Sequence, residues 1–268
     1  MATENPSRED VKRRVLEIGQ NLLVTATDLT LWSIYFGIGV GGGGRSSRDI
    51  YQAAAKADEI VSRINYQSFA HALQHTKEQG LTCLIRKAGG LRISLTEEGE
   101  KRIRGKIPQY KMKRPWDRKL YLITYDVPES KRSQRDKLRY FLNQILAVKL
   151  QESVYLSPYN HRKEIKAFVE ENGIPGTVIV SDTGIRGSIG SKDFRTLVSE
   201  AYKLESLNQR YGEFIKEYGP RSTKPCSRAE VALAFNAVLQ DDPQIPFDLL
   251  PNDWLGEEAY QLYLDRLA

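Results

Sequence analysis

The chain has 268 residues, enough for two or three domains, with 40% hydrophobic and 28% charged residues, which excludes a wholly disordered or collagen-like protein. No apolar run approaches the roughly 18–20 residues of a membrane span, two cysteines exclude a disulfide framework, and two cysteines with three histidines leave little for a structural zinc site. The net charge of +6 is uneven: residues 1–114 hold 19 basic and 12 acidic side chains, a net +7, on a near-neutral remainder. That asymmetry predicts a polyanion partner, and with no secretory signal at the N-terminus a cytoplasmic protein without membrane attachment is expected.

Lys12 to Leu23 carries Val15, Leu16, Ile18, Leu22 and Leu23 at helical spacing, and Leu29 to Phe36 extends that region or forms a short buried segment. Gly39 to Gly44, interrupted by Val40, reads as a connector. Arg45 stands where a phosphate loop would have lysine, and no strand–loop–helix unit surrounds it. Ser46-Ser47-Arg48-Asp49 opens a short helix to about Ala57. After a turn over Arg63 to Ser68, Phe69 to Gly80 is a second helix, with Phe69, Ala72, Leu73 and Thr76 on one face and Gly80 as its C-cap. Leu81–Ile85 and Leu91–Leu95 flank Arg86-Lys87-Ala88-Gly89-Gly90, a hairpin with glycines at the turn. Thr96 caps another helix with acids in its first turn.

Helix, turn, helix, hairpin, helix is the outline of a winged helix-turn-helix, here over residues 1–114. It runs into a basic, proline-punctuated linker from Lys101 to Arg118. In that design the second helix enters the DNA major groove and the hairpin reaches the backbone. The candidate reading face is Asn65, Gln67, Ser68, His71, Gln74, His75 and Lys77, since Asn and Gln can bond an adenine edge twice. Arg86, Lys87 and Arg92 are the candidate phosphate contacts. Glu78 shares the face of Gln74 and His71, where an acid repels phosphate unless it meets a cytosine amino group or faces water. The competing reading is a solvated polar face with no ligand. His71 and His75 also have metal-ligand spacing, but with no third ligand in sight they read better as exposed polar residues near phosphate.

Lys119 to Val127 reads as a buried strand. Glu129 to Leu146 follows as an amphipathic helix whose apolar side is Leu138, Phe141, Leu142, Ile145 and Leu146. Val148 to Leu156 is extended and broken near Glu152, Arg162 to Asn172 is a helix stopped by Gly173, and Thr177 to Val180 is a strand. This order predicts a ferredoxin-like α/β sandwich over residues 115–183. The run Leu122-Ile123-Thr124-Tyr125-Asp126-Val127-Pro128, with Arg132, Arg135 and Ser153-Val154-Tyr155, resembles the small CRISPR-associated ferredoxin-like nucleases of spacer acquisition. The resemblance implies a catalytic Asp126 holding Mg²⁺ at a two-fold dimer interface. On the residues alone, Asp126 caps the following helix or pairs with an arginine.

Ser191 to Tyr218 is mostly helical, Ser227 caps a helix running to Gln240, and a last helix follows Trp254, so residues 184–268 read as a helical C-terminal domain. Asp242-Pro243 … Leu249-Leu250-Pro251 … Trp254 … Gly256 … Ala259 resembles the C-terminal signature of the phenylacetate-catabolism repressor family (PaaX). Pro115-Trp116-Asp117 and Tyr202-Lys203-Leu204 … Tyr211 … Phe214-Ile215 are similar to it too. The resemblance implies an α+β multidomain chain of winged helix-turn-helix, ferredoxin-like middle and helical C-terminal domain. It implies a dimeric, sequence-specific transcriptional repressor on double-stranded DNA, released in some members by an acyl-CoA thioester effector, with no cofactor expected. Longer members continue past Ala268, and some repressors lack an aspartate like Asp126. The alternative is a Mg²⁺-dependent endonuclease centred on Asp126.

Overall fold

The computed structural model describes residues 26–36, 52, 66–87, 90–184, 193–222 and 226–268. The helix expected at Lys12–Leu23, the glycine run and all but Gln52 of the helix at Ser46–Ala57 lie outside them. The described elements are α1 (Ala26–Tyr35), α2 (Tyr66–Glu78), β1 (Thr82–Lys87), β2 (Gly90–Leu95), α3 (Glu97–Arg104), β3 (Lys119–Asp126), α4 (Arg132–Gln144), β4 (Val148–Gln151), β5 (Val154–Ser157), α5 (Arg162–Glu171), β6 (Thr177–Gly184), α6 (Phe194–Ala201), α7 (Leu204–Tyr218), α8 (Arg228–Leu239) and α9 (Gly256–Leu267). The described residues are mixed α+β with two sheets, and the chain divides into two compact units. One comprises Met1–Tyr110, Arg210–Asp241 and Leu255–Ala268; the other comprises Lys111–Gln209 and Asp242–Trp254.

In the first unit, Leu29–Tyr35 takes the helical option within α1, and Phe36 follows in a turn. Helix α2 includes Tyr66, inside the turn expected over Arg63–Ser68, and buries Phe69, Ala72 and Thr76 along one side. One core cluster joins Leu31, Trp32 and Phe36 of α1 to Phe69 of α2, Ile93 of the hairpin, Ile103 of α3 and Ala229, Ala232 and Leu233 of α8. Helix α8 is apolar on all sides, and every residue from Val231 to Leu239 is buried, as a helix enclosed by its neighbours requires. Phe235 packs on Tyr263, Phe214 and Tyr260 at ring-centroid distances of 4.5, 5.5 and 5.8 Å. Asn236, fully buried there, donates from Nδ2 back to the Ala232 carbonyl at 2.7 Å, while its Oδ1 has no hydrogen-bond partner among the described residues. Asp28 of α1 is buried to 1% and accepts from Arg102 at 3.1 and 3.2 Å and from Lys106 at 2.7 Å, fixing α1 to α3.

In the second unit the connectivity β3-α4-β4-β5-α5-β6, with sheet order β4-β5-β3-β6, is the split β-α-β-β-α-β plan expected for the middle of the chain. All neighbours are antiparallel, with Ile123 opposite both Tyr155 and Val180. Strand alternation sends Ile123, Tyr125 and Tyr155 to one face, under Leu138 and Leu142 of α4 and Ile165 of α5. Leu120, Leu122 and Leu156 face the other side, against Phe194, Val198, Leu204, Ile245, Leu249 and Leu250. Apolar cover on both faces explains why β3 reads as a nearly unbroken apolar run. Beyond that cover, Ile179, which pairs with Thr124, is 56% exposed.

Two expectations are corrected here. Glu129–Leu146 is not one helix: a 3₁₀ turn over Glu129–Lys131 precedes α4. Leu146 does not join the apolar side. It closes the helix with φ of 60°, its N–H bonded to the Asn143 carbonyl, and it is 49% exposed. A similar left-handed residue, Lys203 at φ 54°, divides the 191–218 stretch into α6 and α7. Arg114 and Asp242 form an ion pair at 3.6 Å with both side chains fully buried, and the Arg114 guanidinium lies 4.5 Å from the Phe247 ring centre.

Candidate nucleic-acid interface

Helix α2 separates its two faces cleanly. Phe69, Ala72 and Thr76 are buried, while Gln67, His71, Gln74, His75 and Lys77 are exposed and Ser68 is half-buried. Six of the seven expected reading residues therefore sit on one described helix, and five project to solvent; Asn65 lies outside the described residues. Gln74 Nε2 donates to Glu78 Oε1 at 2.7 Å, so the acid that looked awkward on this face is engaged within the helix. His75 Nε2 and Gln79 Nε2 lie 3.0 Å apart. Both contacts are exposed i, i+4 pairs, worth only a few tenths of a kcal/mol, so either side chain can be turned to another partner.

The end of α2 is fixed in place. Gly80 takes φ of 70°, its N–H bonds the Lys77 carbonyl, and the Leu81 N–H bonds the Thr76 carbonyl at 2.8 Å. This is a Schellman ending, for which a residue without Cβ is best suited. Thr96 then links three elements. Its Oγ1 donates to the Gly80 carbonyl at 2.6 Å and accepts from Gly99 N at 3.1 Å, and its N–H bonds the Leu81 carbonyl at 3.0 Å. The cap read from the sequence is thus also the joint between α2, the hairpin and α3. The hairpin register pairs Ile85 with Arg92 and Arg86 with Leu91. Arg86, Lys87 and Arg92 lie on its strands, with side chains outside the described residues. Ala70, Leu73, Gln74 and Lys77 of α2 and Cys83, Leu84 and Ile93 of the hairpin border a cleft of about 110 Å³.

Asp126 stands exposed at the end of β3. Neither structural role considered for it is realised: no side chain caps the 3₁₀ turn or α4, and the nearby arginines take other acids. Arg135 binds Glu129 through two bonds of 2.7 and 3.1 Å and holds that carboxyl below its usual range. Arg139 binds the Tyr125 hydroxyl and Glu152, each at 2.8 Å. Among the described residues no three His, Cys, Asp or Glu side chains gather as a metal site, and no helix is long and apolar enough to cross a membrane.

Residues 113–195 match the family model described as PaaX protein central Cas2-like domain, and residues 202–267 match that of the PaaX-like protein C-terminal domain. The two matches cover more than half of the chain. The chain belongs to the PaaX-like family. It is 25% identical over 129 residues to the transcriptional repressor PaaX of Escherichia coli, a match covering 43% of this chain and 41% of that protein, less than half the length of either. The solved structure of the uncharacterized protein Rv0674 from Mycobacterium tuberculosis shares the fold at a TM-score of 0.53 and 18% identity, covering 91% of this chain and 94% of that one.

Sequence reasoning missed two buried charge centres in this PaaX-like chain. Asp28 carries a signal, a lone acid at the head of the apolar stretch Leu29–Phe36. Asp242 belonged to the family phrase but had no assigned task; its task is Arg114.

Proposed function

We propose that this PaaX-like protein is a transcriptional regulator, in the simplest form a repressor, that reads double-stranded DNA through α2 of a winged helix-turn-helix spanning residues 1–114. The observation that carries the reading is the polar face of Gln67, His71, Gln74, His75 and Lys77 on a helix whose other face is core. A β-hairpin bearing Arg86, Lys87 and Arg92 follows it directly. Base edges need donors and acceptors that can leave their intramolecular partners cheaply, and the exposed pairs on α2 meet that condition. Lys77 and the hairpin cations supply the phosphate attraction. The family and its repressor relative support the same reading.

The proposal includes a cytoplasmic homodimer, with residues 115–183 as the ferredoxin-like domain and residues 184–268 as the helical domain. Ile179 and Thr124, on the open part of the sheet, favour self-association there. Two copies would set two α2 helices on half-sites one or two helical turns apart. Release by an acyl-CoA thioester effector belongs to the proposal; a cofactor does not.

Fluorescence anisotropy tests it, with a labelled duplex from upstream of the protein's own gene against a scrambled duplex at equal salt. The expected result is a preference of about tenfold or more, roughly 1.4 kcal/mol. Equal binding to both duplexes would remove sequence reading from the account.

A further inference from the structure

The first unit holds a second, larger recess well away in sequence from the reading face. It is an open cleft of about 620 Å³, within the range of small-molecule sites. Tyr35 and Phe36 at the end of α1, Arg104 and Ile107 at the end of α3, Arg228 of α8 and Tyr263 of α9 line it. Its wall has a clear division of chemistry. The rings and Ile107 supply an apolar wall, Tyr35 standing edge-on to Phe36 at 5.0 Å, with Phe36 buried and belonging to the unit's core cluster. Among the described residues the charged side chains on the wall are both guanidinium ions, the other polar side chains are the neutral Gln109 amide and the phenols, and no Asp or Glu side chain lines the cleft.

Both arginines are only lightly engaged. Arg104 lies over the Tyr35 ring at 5.6 Å and reaches Glu100 at 3.4 Å through an exposed i, i+4 pair, which holds it weakly. Arg228 gives one solvent-exposed bond of 2.8 Å to the terminal main-chain oxygen of Ala268, from a side chain with five N–H donors. An anion entering the cleft can therefore be bound by two forked cations without breaking a buried ion pair.

We propose that this cleft is a binding site for an organic anion with an apolar body, the anionic group held between Arg104 and Arg228 and the body packed against Tyr35, Phe36 and Tyr263. The inference deepens the regulator reading, and its consequence for DNA rests on that reading. Helix α3 carries Arg104 near its last residue and Gly99 near its first, and Gly99 and Thr96 hold the joint to α2. Occupancy of the cleft thus acts on the element that positions the reading helix.

The test titrates the full chain, without DNA, with 1-anilinonaphthalene-8-sulfonate and with its uncharged counterpart N-phenyl-1-naphthylamine. The sulfonate should bind one saturable site. The variant Arg104→Gln/Arg228→Gln should bind it about tenfold more weakly or worse, with an unchanged melting temperature and an unchanged response to the uncharged dye. Ile107→Trp, which fills the cleft, should weaken both dyes. Equal sulfonate affinity in wild type and the double-arginine variant would overturn the site, and so would indifference of both dyes to Ile107→Trp. Because the titration contains no DNA and the anisotropy assay contains no dye, failure of one proposal leaves the other standing.

Discussion

Gly99→Ala separates local helix preference from the joint that holds α2. Gly99 lies in the first turn of α3, where exchange of glycine for alanine favours a helix by up to about 1 kcal/mol. The structure reverses the sign. A Cβ at Gly99 would lie 2.0 Å from the Leu81 carbonyl oxygen and 3.0 Å from its carbon, both backbone atoms. Leu81 cannot give way cheaply, because its N–H is bonded to Thr76 and its carbonyl accepts from Thr96 N. Relief requires α3 to move away, at an overpacking cost of about 1–3 kcal/mol and the loss of the Thr96 bond, about 1 kcal/mol. After the propensity gain the net loss is about 2 kcal/mol. Urea unfolding followed by far-UV circular dichroism should show a lower midpoint at unchanged slope, and duplex binding should weaken as the end of α2 is displaced. Gly105→Ala is the control in the same helix: at φ −65° its Cβ meets nothing nearer than 3.3 Å, so stability should hold within about 0.5 kcal/mol. A Gly99→Ala protein as stable as wild type, or more so, would refute the reasoning.

Arg114→Met leaves the buried Asp242 without its guanidinium counter-ion. At 3.6 Å the pair is worth about 4–5 kcal/mol at an effective dielectric near 20, and removing one partner of such a pair costs about 3–5 kcal/mol. Adding Asp242→Asn should restore more than half of the loss; urea curves read by tryptophan fluorescence decide, and strict additivity would refute the coupling. Burial holds the His161 imidazole below its usual 6.5. As pH falls through that value the unfolded chain binds a proton that the native chain does not, so stability declines toward acid until the native ring titrates. His161→Phe should flatten the change in urea midpoint between pH 7.5 and 5.5, and an unaltered change would refute the assignment. On DNA, Lys87→Ala should weaken all sequences and reduce the salt slope by about 1, while Gln74→Ala should relax sequence preference. Anisotropy on operator and random duplexes separates the two roles, and identical effects of both changes would sink them.

What the sequence disclosed was short in range. Thr96 and Ser227 cap α3 and α8 through bonds to residues three positions on, and Gly80 ends α2 through bonds inside one turn. Such signals are complete within a window of a few residues. The β3 strand was legible for a related reason: cover on both faces leaves it little polar alternation. The described part of the reading face was legible because sequence polarity tracks exposure on a helix with one core side. The charge centres were not, because each closes across distance. Asp28 meets Arg102 after 74 residues, and Arg114 bonds the Ile245 carbonyl across 131. A buried carboxylate looks the same in sequence as a solvated one until its cation is placed. The cleft shows the same limit more strongly. Tyr35, Arg104, Arg228 and Tyr263 come from four helices, and none belongs to a motif. Yet α3 runs from the cleft to the joint with the reading helix: Arg104 is its last residue, and Gly99 in its first turn abuts the Leu81 carbonyl. A backbone contact that admits no Cβ transmits displacement more directly than side chains that can rotate. Coupling of the cleft to the reading helix therefore depends on a glycine that local helix preference alone would replace.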